Sequence, residues 1–119
     1  VDTNFDYDIA YEMTVAQSPD ADATVFMRLH SSCINSPKGN VAGAVNEDLD
    51  KLIEEARYEL DDDKRLELYR EISEINKEES YYIPLVTSTN SVVVRKEVQG
   101  AYAHGGGQYR ISDWSYVAE

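Results

Sequence analysis

A mixed α/β fold, α+β for the chain taken by itself, is what the sequence predicts, with a helical hairpin packed on a small sheet. Three observations lead there. Apolar residues alternate with polar ones from Phe5 to Met13, two apolar stripes with helical spacing run between Asn46 and Glu79, and β-rich runs follow from Tyr81 onward.

The first element expected is a strand. Phe5, Tyr7, Ile9, Tyr11 and Met13 fall on one side of a period-two segment, which gives one face to bury. Gln17-Ser18-Pro19-Asp20 is turn chemistry, since proline fixes φ and Asp20 can cap the next helix. Ala23 to Ser31 reads as that short helix, with Val25, Phe26 and Leu29 on its apolar side and Met27 as a gap filler. Ser32 to Val45 has no sustained period and carries Ser, Asn, Pro and Gly, so it reads as a loop. Loops of about 12 residues or more in compact domains are often functional, which makes this one the leading candidate for ligand contact.

Asn46 to Glu79 predicts a helical hairpin. Leu49, Leu52, Ile53 and Ala56 share one face of the first helix; Leu66, Tyr69, Ile72 and Ile75, with Leu68 beside them, form the stripe of the second. Asn46 caps the first helix, with Glu47 and Asp48 at the positive end of its dipole, and Asp61 or Asp62 caps the second. Arg70 and Glu74 are spaced as an i, i+4 pair. Fourteen acidic and six basic residues lie in this stretch, so most of the chain's net charge of −12 belongs to the hairpin's solvent side.

Tyr81 to Val86 is an extended apolar run in which Pro84 favours an edge or a crossing segment over a central strand. Ser91 to Arg95 is a second β-rich run, Val98-Gln99-Gly100 supplies a turn, and His104 to Gly107 is a Gly-rich loop. Tyr109, Ile111, Trp114 and Tyr116 include a last short strand. The order is β, α, loop, α, α, β, β, β, a sheet too small for its strands to cover one another. The first strand's edge wants covering, so swapped or sheet-extended homodimers are an expectation.

Composition excludes several classes. The chain's 119 residues allow one domain's core, and no apolar run approaches the roughly 18 residues of a membrane span. The strong acidity argues against a nucleic-acid surface, which rests on clustered Lys and Arg. Cys33 is the sole cysteine and reads as a small, partly buried hydrophobe. The chain opens without an initiator Met or a leader pattern, close to a strand, which is expected of a piece of a longer polypeptide or a processed form.

Residues that could carry catalysis do not assemble into a motif. Asp20-Ala21-Asp22 and Asp61-Asp62-Asp63 lack the Gly and Glu of a calcium loop and read as caps and solvated charge. His30 and His104 sit in no nucleophile motif, and Gly105 to Gly107 lacks the Lys-Ser/Thr of a phosphate loop. No catalytic residue, metal or cofactor is therefore expected. Tyr7, Tyr11 and Tyr69 read as core with polar tips, with a binding groove as the alternative.

In this order the motifs resemble the C-terminal part of the extracytoplasmic solute-binding proteins of bacterial ABC importers for oligopeptides, dipeptides or nickel (family 5). The matching residues are Ser18-Pro19-Asp20-Ala21-Asp22, Gly39-Asn40, and Asn46 with Asp50, Leu52, Ala56 and Arg57. Further along they are Asp63-Lys64-Arg65 with Tyr69, Tyr82-Ile83-Pro84-Leu85, and Lys96-Glu97-Val98-Gln99-Gly100.

The resemblance implies part of a two-lobed fold of the type II periplasmic-binding-protein kind, closing on a ligand at a hinged cleft. Residues 1–86 would be the end of the second lobe and 87–119 the return into the first, with the crossing near Ile83 to Ser88. It implies a non-enzymatic, extracytoplasmic parent that binds a peptide or small solute and docks on permease subunits, reaching the membrane only through these or an anchor. Ligand contacts carried over by position are Met13, Thr14, Gln17, Asp20 and Asn40, with Cys33 nearby. Thr14 stands where many members have Trp, Ala44 where many have an aromatic residue, and Gln17 where an acidic residue often meets a peptide's amino terminus. The alternative reading is a small acidic interaction module that docks a partner protein through the 46–79 hairpin.

Overall fold

The computed structural model describes residues 6–13, 20–36, 39–87, 89, 91–102 and 109–117. Those up to Pro84 belong to one compact unit and those from Leu85 to a second. Among them are three helices and one two-stranded antiparallel sheet, a mixed α and β composition.

In the first unit, α1 spans Ala21–Leu29, two residues earlier at each end than its periodicity suggests. The cause at the start is Asp20, whose carboxylate accepts the Asp22 N–H at 2.9 Å and so begins the helix at Ala21. At the far end His30 turns to extended backbone (φ −73°, ψ 134°), and a single 3-10 turn, Ser31–Cys33, comes next.

The hairpin forms as expected. α2, Glu47–Tyr58, is capped by Asn46, whose side-chain oxygen accepts from the N–H groups of Asp48 and Leu49 at 3.0 Å each. α3, Asp62–Glu79, is capped by Asp61, which accepts from Asp63 and Lys64. Each such cap is worth about 1 kcal/mol. α3 ends at Ser80, which takes the left-handed conformation (φ 56°) that usually falls to Gly or Asn.

Leu49, Ile53 and Ala56 of α2, Ile72 of α3 and Leu29 of α1 are the buried core, with Val25, Phe26, Leu52, Leu68, Tyr69, Ile75, Tyr81 and Tyr82 packed against it. The hairpin's inner face is thus covered by α1 and by the two tyrosines after α3. Two details of the hairpin differ from expectation. Leu66 is 49 % exposed and lies off the stripe, which runs through Leu68, Tyr69, Ile72 and Ile75. Glu74 pairs with Lys77, 3.1 Å away, rather than with Arg70.

Two arginines fasten α1 to the hairpin. Arg57 of α2 reaches Asp22 at 3.0 Å and lies over the Phe26 ring, 4.1 Å from its centroid. Arg65 of α3 reaches Asp20 at 2.7 Å, donates through Nε to the Ala56 carbonyl at 3.1 Å, and contacts the Tyr69 hydroxyl at 3.2 Å.

The strand expected at the start is not formed among the described residues 6–13, and Phe5 lies outside them. Ile9, Tyr11 and Met13 of its apolar side face solvent, Ile9 at 91 % exposure. Alternation states which side chains share a side; here only Tyr7 of that side is half-buried, its hydroxyl on the Val41 carbonyl. The runs 82–87 and 91–95 likewise hold no strand, and Ile83, Leu85, Val86 and Val93 are exposed.

In the second unit, β1 is Val98–Gln99, inside the stretch expected to turn, and it pairs antiparallel with β2, Ser115–Tyr116. The register sets Val98 opposite Tyr116 and Gln99 opposite Ser115. The turn lies just before β1, where Val98 N–H donates to the Arg95 carbonyl at 3.0 Å. Gly100 closes the strand at φ 75°, against the Asp113 carbonyl, where a Cβ would collide. A 3-10 turn, Ile111–Asp113, leads into β2, the expected last strand. The Gly-rich loop at 104–107 lies outside the described residues.

Candidate functional site

The loop between α1 and α2 is built around Asn40. Its side chain is fully buried. The amide nitrogen donates to the carbonyls of Leu29 (3.4 Å), His30 (3.2 Å) and Ala44 (2.8 Å), and the oxygen accepts the Ala44 N–H at 2.9 Å. One asparagine therefore closes the loop on itself and ties it to the end of α1. Gly39 precedes it because its Cα packs against the Cys33 carbonyl, leaving no room for a Cβ, and Gly43 turns the chain at φ 66°.

A polar cluster surrounds this loop. Arg28 is buried in α1, and its Nη1 donates to both Glu12 carboxylate oxygens at 2.7 Å. The same nitrogen lies 3.4 Å from the Gly39 carbonyl. The Tyr7 hydroxyl donates to the Val41 carbonyl at 2.6 Å. Tyr82 brings its hydroxyl to the same neighbourhood; burial pushes its phenol above the usual range, and Arg28 and the N–H of Ala42 pull the other way.

A second cluster lies just after α1. His30 is buried and stacks on Phe26, ring centroids 4.5 Å apart. Its Nδ1 accepts the Ser32 N–H at 3.2 Å and lies 2.8 Å from the Ser32 hydroxyl, while Nε2 faces Glu54 at 3.4 Å. Asp50 of α2 accepts from both the N–H and the hydroxyl of Ser31. Serine beside histidine beside carboxylate is the set from which nucleophilic chemistry is made. Here Ser32 is two residues from His30 on one turn, and the ring nitrogen also holds that turn's backbone N–H, which is the work of a cap.

Of the residues expected at a ligand, Met13, Asp20 and Asn40 are among those described. Met13 is exposed. Thr14 and Gln17 lie outside the described residues. Asp20 spends its carboxylate on the start of α1 and on Arg65; the Asp22 N–H and then the Arg65 guanidinium hold it below the usual carboxylate range. Asn40 spends its side chain on the loop. Cys33 is a free, half-buried thiol. A shallow surface depression is lined by Glu55, Tyr58, Glu59 and Leu60, none of them expected at a site. Among the described residues no group of His, Cys, Asp and Glu is arranged to hold a metal ion, and no helix is long and apolar enough to cross a membrane.

Sequence reasoning missed Glu12, Arg28 and Tyr82. The available signal was Glu12 itself, a carboxylate on the polar side of an alternating segment, and Arg28, a cation within an apolar helix. No family model and no curated protein matches the chain.

Proposed function

We propose that this chain is part of an extracytoplasmic solute-binding protein of an ABC importer of the oligopeptide, dipeptide and nickel kind. The parent is non-enzymatic and closes two lobes on a peptide-like or other small solute. Residues 1–86 are the end of the second lobe and 87–119 the return into the first. Closure buries the solute, and the higher affinity of the closed form is what signals occupancy to the permease.

The observation that carries this reading is the ordered residue set and the positions it occupies. Asn46 caps α2, Asp50 holds the turn after α1, Arg57 and Arg65 fasten α1 to the hairpin, Tyr69 meets Arg65, and Asn40 closes the loop. The exposed apolar residues at Ile9, Tyr11, Met13, Ile83 and Leu85 also support the reading, because a lobe detached from its remainder leaves such sides open.

Half a cleft holds a solute poorly. Isothermal calorimetry of this chain with oligopeptides and with nickel is expected to show no binding in the micromolar range. Micromolar affinity for the isolated chain would overturn the reading, since the rest of the cleft would be dispensable.

A further inference from the structure

Arg28 is 8 % exposed, and its contact with Glu12 uses one nitrogen, Nη1, for both carboxylate oxygens. A guanidinium matches a carboxylate best with two nitrogens side by side. Its Nε is buried with no acceptor among the described residues, and the Tyr82 hydroxyl is buried with no hydrogen-bond partner among them either. The N–H of Ala42 lies close to that hydroxyl, while that of Val41 is taken by the Gly39 carbonyl at 2.9 Å. Donors thus outnumber what one carboxylate in this pose satisfies, and unmet buried donors are costly.

Glu12 also has a weak claim on the place. It belongs to the 6–13 segment, whose Ile9, Tyr11 and Met13 face solvent, so apolar burial contributes little to holding it down. Glu12 from this segment and Tyr7 through the Val41 carbonyl tie it to the loop.

We propose that Arg28, Tyr82 and the 41–42 turn form a binding site for a small organic carboxylate, which Glu12 occupies from within until a ligand displaces it. An incoming carboxylate takes the guanidinium through two nitrogens and accepts from the Tyr82 hydroxyl. The 6–13 segment is then released at its Glu12 end. The site is complete within the first unit and does not depend on the identity of the parent's solute.

The test is a titration of the full chain, labelled with nitrogen-15, with N-acetylalanine and with its amide, reading the Arg28 Nε–Hε resonance. In Glu12→Gln the internal competitor loses its charge, so N-acetylalanine is expected to bind about tenfold or more tighter than to the unmodified chain, with the amide silent in both. Equal affinities, an equal response to the amide, or no response in Glu12→Gln would overturn the proposal. Should that variant fail to fold, hydrogen exchange of the unmodified chain decides. N-acetylalanine is expected to speed exchange of the amides at 8–13 several-fold over the amide control, and unchanged rates would sink the idea.

Discussion

Leu49→Ala is expected to lower the stability of the first unit by about 2–5 kcal/mol, the range for emptying a large aliphatic position in a closed core. Leu49 has no exposed surface and shares its cluster with Leu29, Ile53, Ala56 and Ile72, contributed by all three helices. Removing it withdraws contacts from α1, α2 and α3 at once, and a core this small has few side chains able to relax into the gap. Urea denaturation followed by helical circular dichroism measures the loss. Leu66→Ala is the control: half-exposed on α3, it should change stability by no more than about 0.5 kcal/mol. Equal losses from the two variants would mean that the stripe has been placed on the wrong face.

Asn40→Ala is expected to cost about 3 kcal/mol or more, because it leaves buried backbone groups without partners at about 1–3 kcal/mol each. The Ala44 N–H loses its acceptor, and the carbonyls of His30 and Ala44 lose their donor. Asn40→Asp keeps the shape but replaces the donor by a charge facing carbonyl oxygens, and should be at least as damaging. The same denaturation experiment reads both. An asparagine kept for a ligand would behave differently, since its removal would spare stability and change only binding.

These two positions also show where sequence reasoning reaches and where it stops. Leu49 was legible because helical spacing and the Asn46 cap lie within a few residues of each other, and local rules decide both. Asn40 was legible as a loop residue of interest, yet its role was not, because its partners are backbone groups of Leu29, His30 and Ala44 that composition does not mark. Glu12 and Arg28 are sixteen residues apart, and nothing in either neighbourhood announces the other. Period two between Phe5 and Met13 predicts a strand with one buried face, but the pattern carries no information about a partner. In the second unit, β-rich Ser91 to Arg95 stayed out of the sheet while Val98–Gln99 entered it, next to a tight approach that only Gly100 permits. Short-range turn geometry outweighed β propensity there.

The residues that carried the family resemblance share a property. Asn46, Arg57, Arg65, Tyr69 and Asn40 each make a contact that sets a helix end, a helix pairing or a loop closure. Such positions report a local fold and say little about the molecule it holds; Asp20 and Asn40, expected at a ligand, also make contacts within the protein itself.

The solvent-facing apolar row of Ile9, Tyr11 and Met13 has a colloidal consequence. At neutral pH the net charge of −12 keeps molecules apart by mutual repulsion, so the sticky row finds few chances to meet its like. That repulsion vanishes as the pH approaches about 4.4, the isoelectric point that the sequence gives. Light scattering during a slow acid titration should therefore rise near that pH while the helical signal is still intact, and replacing Ile9 and Met13 by serine should delay the clouding without altering the charge.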